Sequence, residues 1–93
     1  MDDVSMLCFI AENFQVRPNW EFHELDSFEN SATRFLCRLD FSGVLIYQAY
    51  GKNKKDSKFN CAKQAICLVA PNVFKYKYPG EPIEIIKGMS ESD

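Results

Sequence analysis

The 93-residue sequence predicts an α+β fold in which one helix, three antiparallel strands and a second helix follow one another along the chain. Apolar residues recur at helical spacing over residues 4–15 and 54–70, whereas they alternate with polar residues between 20 and 50. With 46% hydrophobic residues, a chain of this length can form one small core. We therefore predict an α-β-β-β-α domain over residues 1–71, with two helices on one face of a three-stranded sheet, and a C-terminal extension over residues 72–93.

The first helix is predicted over residues 4–15, where an apolar stripe has helical spacing. Asp2 or Asp3 precedes the stripe, and an aspartate there can accept hydrogen bonds from the first free backbone N–H groups. Pro18 is expected to end the helix, because the residue before a proline avoids the helical conformation. The stripe that we expect to be buried consists of Val4, Leu7, Cys8, Ala11 and Phe14.

Three strands are predicted next, connected as a meander with one face in solvent. Trp20 and Phe22 alternate with polar residues in the first strand, and a tight turn at residues 42–43 leads into the third strand, residues 44–50. The second strand has one wholly apolar face, formed by Phe35, Cys37, Leu39 and Phe41. Because the charged residues of the strands lie on the other face, the apolar face needs a cover.

The second helix is predicted to supply that cover. Asn53 is a favourable N-cap, and Pro71 bounds the helix at its other end. Small and apolar residues, which let a helix approach a sheet closely, recur at spacings of three and four: Ser57, Cys61, Ala62, Ala65, Cys67 and Leu68. The resulting interface is predicted to set Phe35, Cys37 and Leu39 against Cys61, Ala65 and Leu68.

The C-terminal extension is predicted to be ordered up to residue 87 and to end in a polar tail. Its aromatic residues alternate with lysines, which favours an extended hairpin over a third helix. Full burial of a large apolar side chain is worth about 1.5–3 kcal/mol, so we expect this segment to pack on its own domain or against a second copy. The candidates for contact with a protein partner are Phe74, Tyr76, Tyr78, Ile83 and Ile85.

The sequence carries no enzyme signature. It has no glycine-rich phosphate loop, no nucleophile elbow and no histidines spaced for a metal, and its single histidine, His23, is expected to face solvent on a strand. The four cysteines lie in apolar segments and are interpreted as buried reduced thiols, which favours an intracellular, reducing location. The N-terminus is acidic and no apolar run suits a membrane helix. We therefore predict a non-catalytic chain without cofactor, metal or membrane contact.

Positive charge is concentrated at the start of the second helix. Residues 51–63 contain five lysines against one aspartate, a local charge of +4 in a chain whose net charge is −2. A helix N-terminus already presents free N–H groups and the positive end of the helix dipole, so it attracts anions. Lysines there repel the dipole and cost stability locally, which favours a functional reason for their presence.

Two segments resemble motifs of one family. Residues 53–58, with Cys61-Ala62 and Ala65, are similar to the pattern Ser-Lys-Lys-x-Ala-Lys followed by paired alanines and a further alanine one turn on. Residues 10–15 look like the Leu-x-Glu-x-x-Gln of the same family's first helix. That family is the double-stranded RNA-binding domain, whose order of elements is the one predicted above. The resemblance covers about residues 4–70.

The resemblance implies a module that recognises the shape of A-form RNA over about 16 base pairs, through two minor grooves and the major groove between them. Carried over by position, Lys54, Lys55 and Lys58 would hold phosphates across the major groove, with Lys52 and Asn53 beside them. Glu12 would meet 2′-hydroxyls in one minor groove. The family also implies a role in RNA processing or RNA silencing, within a larger enzyme or its cofactor.

Three departures support an alternative. Residues 27–33, between the first two strands, lack the Gly-Pro-x-His of the family's second minor-groove contact, and Glu29 adds a negative charge there. Cys8 stands one turn before Glu12, where a polar residue is expected. The loop before the first strand is also short, with only residues 16–19 between Gln15 and Trp20. The alternative is a degenerate member that acts in protein association or dimerisation, through the sheet edge or the C-terminal extension.

Overall fold

The computed structural model describes residues 2–25 and 34–81. The elements in chain order are α1 (Asp3–Asn13), β1 (Pro18–Glu24), β2 (Phe35–Phe41), β3 (Val44–Gly51), α2 (Lys54–Val69) and α3 (Pro71–Lys77). The strands form one antiparallel sheet in the order β1-β2-β3, and α1 and α2 share a core with one of its faces. The predicted α-β-β-β-α order is confirmed. No helix in the described part of the chain is long and apolar enough to cross a bilayer.

The core lies between the sheet and α2, as predicted, but not all of the residues predicted for this interface are buried in it. The predicted contact residues that are fully buried in one cluster are Cys37, Leu39, Cys61 and Ala65. Phe35 and Leu68 are only half-buried and lie outside this cluster, so that part of the predicted interface is wrong. Ile66 is buried instead, because α2 also packs against α1 and α3. Hydrogen bonding with Cys37 and burial raise the pKa of the Cys61 thiol, which keeps it neutral.

Helix α1 begins where predicted and buries Leu7 and Ala11 as expected, but the rest of its buried face differs from the predicted one. The Asp2 carboxylate caps it by accepting a hydrogen bond from Ser5 N at 2.7 Å, and this bond holds the pKa of Asp2 below its usual value. The buried residues are Asp3, Leu7, Ile10 and Ala11. Cys8 and Phe14 are exposed, so their predicted burial is wrong, and only three of the four cysteines are buried thiols. The helix ends at Asn13 because Gln15 turns the chain with a φ of 59°.

The strands follow the predicted alternation. In β2, Cys37, Leu39 and Phe41 are buried on the helix side, and the residues between them are half-buried on the other face. The turn into β3 uses left-handed backbone at Ser42 (φ 50°) and Gly43 (φ 96°), the combination that suits a two-residue hairpin. The Asp40 carboxylate accepts hydrogen bonds from Asn19 Nδ2 and Gly43 N, which lower its pKa and tie β1 to this turn.

The segment predicted as an extended hairpin is helical over residues 71–77. Pro71 occupies the first turn of α3, where its missing N–H and fixed φ cost nothing. Phe74 and Tyr78, four residues apart, lie on one helix face with ring centroids at 5.2 Å. Phe74 is only 2% exposed and lies in the core, so its side chain is not available for contact with a protein partner. Tyr76, on the opposite face of the helix, is 91% exposed. The predictions for Ile83 and Ile85 fall outside the described residues.

A polar cluster fastens α3 and the residues after it to the rest of the domain. Buried Asp3 accepts a hydrogen bond from Tyr78 Oη and lies 2.5 Å from Lys77 Nζ. Lys63 Nζ lies 4.5 Å from the centroid of the Tyr78 ring and 2.9 Å from Glu81. Burial and the bond to Asp3 raise the pKa of Tyr78 to about 12. The extension therefore packs on its own domain as far as residue 81.

Candidate nucleic-acid interface

The lysine cluster, which we define as Lys52, Lys54, Lys55 and Lys58, surrounds the N-terminus of α2. Asn53 caps the helix as predicted: its Oδ1 accepts a hydrogen bond from Asp56 N at 2.8 Å. Asp56 in the first turn is the acidic residue that suits the helix dipole. Lys58 is half-buried, and the other three lysines and Asn53 are exposed. Within residues 2–25 and 34–81, none of the four lysines forms an ion pair with a carboxylate.

The N-terminus of α2 is fixed to the end of β3. A Cβ atom on Gly51 would lie 2.3 Å from Ser57 N and 2.6 Å from Ser57 Cα, so the strand and the helix backbones approach each other as closely as a glycine allows. Ser57 is fully buried and donates a hydrogen bond to Lys54 O at 2.9 Å. Asn60 Nδ2 donates to Tyr50 O at 2.9 Å. The lysine cluster therefore stands on a rigid junction of strand and helix.

Two aromatic rings of β1 lie under lysines of the cluster. Lys58 Nζ is 5.0 Å from the centroid of the Trp20 ring, and Lys54 Nζ is 5.9 Å from the centroid of the Phe22 ring. Both rings are half-buried and pack against the core. Their alternation with polar residues predicts only that Trp20 and Phe22 lie on a strand. Their spacing of two was visible in the sequence, but the lysines that they meet are more than 30 positions away.

Glu12 lies apart from the lysine cluster. It is exposed on α1 and lines a shallow depression with Gln15, Arg17 and Asn19 beside the turn at Ser42. The turn at Ser42 lies before β3 in the chain, whereas the lysine cluster lies after β3. An eight-residue strand spans roughly 25 Å, so the two candidate contacts are separated by about the length of β3. Such a separation suits contacts in different grooves of one duplex.

Other predicted site residues are scattered. Residues 27–33, whose sequence lacks the Gly-Pro-x-His of the family's second minor-groove contact, lie outside the described residues. His23 is exposed on β1, with Nε2 3.3 Å from Glu21 Oε2, and faces away from the lysine side of the sheet. In the C-terminal extension, Tyr76 is exposed, Tyr78 is half-buried and Phe74 is in the core. The extension therefore presents one aromatic residue, not a continuous apolar surface, over residues 72–81.

Comparison with known proteins connects this geometry to a family. No protein with a curated description matches the chain. The family model of the double-stranded RNA binding motif matches residues 10–69, about two thirds of the sequence. The matched part runs from Ile10 in α1, and so includes Glu12, through the whole sheet and the lysine cluster to the end of α2. The matched family is one of binding domains without catalytic activity. The chain belongs to the double-stranded RNA binding motif family.

Proposed function

We propose that the domain binds double-stranded RNA without catalysis, and that Lys54, Lys55 and Lys58 grip phosphates across the major groove. The observation that carries the proposal is a capped helix N-terminus that bears lysines without carboxylate partners among the described residues. Lys52 and Asn53 flank the same point. The free backbone N–H groups, the helix dipole and the lysine ammonium groups then all attract anions to the same edge of the domain.

The charge distribution also orients the duplex. The chain has a net charge of −2 although residues 51–63 carry +4, so the remaining surface repels a polyanion. RNA then approaches the α2 edge first, with its phosphates toward the lysine cluster. In this proposal Glu12, which lies on α1 beside the turn at Ser42, accepts hydrogen bonds from 2′-hydroxyls in a neighbouring minor groove. This contact would distinguish RNA from DNA, which lacks the hydroxyl.

The proposal predicts RNA binding that weakens steeply with salt. Three neutralised phosphates give a slope of log affinity against log salt of about −2.7, so raising the salt from about 50 mM to about 200 mM should weaken binding about 40-fold. The measurement is a titration of the chain with an RNA duplex of about 20 base pairs, which exceeds the span of such a domain. A DNA duplex of the same sequence is the control and should bind more weakly. Equal affinity for the two duplexes, or no RNA binding at low salt, would contradict the proposal.

A second candidate function is association of two copies through the edge of β3. In the described part of the chain β3 pairs only with β2, and its eight residues, Val44–Gly51, include no charged residue and no proline. Charges and prolines are the usual devices that protect an edge strand, and the opposite edge, β1, has both. Val44, Leu45 and Tyr50 are about half exposed or more. We therefore infer β3-to-β3 pairing as the mode of any dimer.

Sedimentation of the free chain tests this second function. If β3 pairs between copies, the unmodified chain should sediment as a dimer at high concentration, and Leu45→Lys with Tyr50→Lys should sediment as a monomer because like charges then oppose each other. Glu21→Lys on β1 is the matched control and should leave the mass unchanged. A monomer at every concentration would exclude this function while leaving RNA binding untouched.

A further inference from the structure

We propose that Trp20 and Phe22 are positioning residues for duplex RNA, because their rings hold the ammonium groups of Lys58 and Lys54 in place for phosphate. The inference rests on the proposed function and assigns part of its binding site to the sheet. The ammonium-to-centroid distances are 5.0 Å for the Lys58–Trp20 pair and 5.9 Å for the Lys54–Phe22 pair. Both distances are within the range in which the face of an aromatic ring attracts a cation.

The spacing of the rings matches the spacing of the lysines. Trp20 and Phe22 are two residues apart on one strand and opposite Leu39 and Cys37 in the register, so both point to the helix side of the sheet. Two residues along a strand advance about 6.6 Å, and four residues along a helix advance about 6 Å. The helix and β1 run in opposite directions at this contact, so that each lysine meets one ring. The match explains how a single edge strand can hold two lysines at once.

Holding the lysines matters because a lysine side chain is long and flexible. A free lysine loses rotamer freedom when it binds a phosphate, whereas a lysine held over a ring has lost part of that freedom already. The ring occupies one side of the ammonium group and leaves its other N–H donors available. The lysine cluster is thereby divided: Lys54 and Lys58 are held by rings, while Lys55 is exposed and contacts no ring in the described part of the chain.

The rings also cover the core, so an experiment must separate positioning from packing. A double-mutant cycle does so, with duplex RNA affinity as the readout and the melting temperature as the check on folding. Trp20→Leu keeps an apolar cover without the ring, and Trp20→Phe keeps a ring. Trp20→Leu should weaken RNA binding about two- to five-fold, and Trp20→Phe should restore most of the loss. When Lys58→Ala is already present, Trp20→Leu should cause no further loss of RNA affinity, because the lysine that the ring holds is gone.

Lys55→Ala is the matched control for the cycle. Because no ring holds Lys55, Lys55→Ala should weaken RNA binding by the same factor whether or not Trp20→Leu is present. If Trp20→Leu weakens binding equally in the presence and absence of Lys58, the ring acts through packing and the positioning role is overturned. If the unmodified chain does not bind duplex RNA, the proposed function fails and the positioning role falls with it. The two failures are therefore distinguishable.

A measurement on the free protein keeps the inference testable if Trp20→Leu fails to fold. Protons above an aromatic ring resonate upfield, so the side-chain methylene protons of Lys58 should lie clearly upfield of those of Lys55 in an NMR spectrum of the unmodified chain. Trp20→Phe should reduce this difference without removing it. Coincident shifts for the two lysines would show that Lys58 does not rest on the ring, and would overturn the inference whatever the affinity for RNA.

Discussion

Replacing Lys54, Lys55 and Lys58 together with alanine is expected to weaken binding of an RNA duplex about a hundredfold. Each contact between an exposed ammonium group and a phosphate is worth about 1 kcal/mol, between the values for surface ion pairs and for charged hydrogen bonds. Three such contacts therefore correspond to about two orders of magnitude in Kd. The slope of log affinity against log salt should also become shallower by about 2.7, since three fewer phosphates are neutralised. Both quantities follow from titrations at several salt concentrations.

The fold should tolerate this triple substitution. Lys54 and Lys55 are exposed, and the loss of the two ring contacts is offset by removing cations from the positive end of α2. We expect the melting temperature to change by no more than a few degrees. Arg38→Ala with Lys75→Ala is the control: it removes positive charge from the outer face of the sheet and from α3, and should weaken binding only slightly. Retained affinity in the triple variant would assign RNA binding to another surface.

The elements closest to the proposed site could be predicted from the sequence because their signals are local. The capping role of Asn53 depends on an N–H three residues away, and the alternation in β2 is set by the two-residue repeat of a strand. The same holds for the turn at Ser42 and Gly43, whose backbone needs a residue pair that accepts positive φ. The lysine cluster was located for the same reason, since its position follows from the helix start alone.

The third helix was missed because its aromatic spacing fits two periods. Phe74, Tyr76 and Tyr78 alternate as in a strand, but the first and last of them are also four residues apart, as on one face of a helix. Pro71 marks the end of α2, but proline is also common in the first turn of a helix, and here it begins α3. A segment of seven residues offers too few repeats to decide between the two periods.

Contacts between distant residues could not be predicted. The burial of Asp3 depends on Lys77 and Tyr78, more than 70 positions along the chain, and no local rule places a carboxylate in the core. Trp20 and Lys58 meet only because β1 and the N-terminal turns of α2 are folded onto each other. The sequence therefore located the lysines of the proposed site and missed the rings beneath two of them.

Gly51→Ala is expected to destabilise the domain by about 3 kcal/mol, at the upper end of the cost of overpacking. The added Cβ would lie 2.3 Å from Ser57 N, 2.6 Å from Ser57 Cα and 2.8 Å from the Asp56 carbonyl carbon. All three are backbone atoms of α2, so no side chain can rotate away to make room. The end of β3 and the first turns of α2 must separate instead. For a domain of this size the loss corresponds to a fall of about 12–24 °C in melting temperature, measured by circular dichroism.

The same change should damage RNA binding even at temperatures where the variant is folded, because the junction at Gly51 sets the position of the lysine cluster. Gly80→Ala is the matched control: a Cβ atom on Gly80 meets nothing within 4 Å, so this variant should melt close to the unmodified chain and keep its affinity for RNA. A Gly51→Ala variant that melts within a degree or two of the unmodified chain would show that the strand and the helix are not held as closely as these distances require. If the variant is less stable but, where folded, binds RNA with full affinity, the junction at Gly51 does not control the geometry of the binding site.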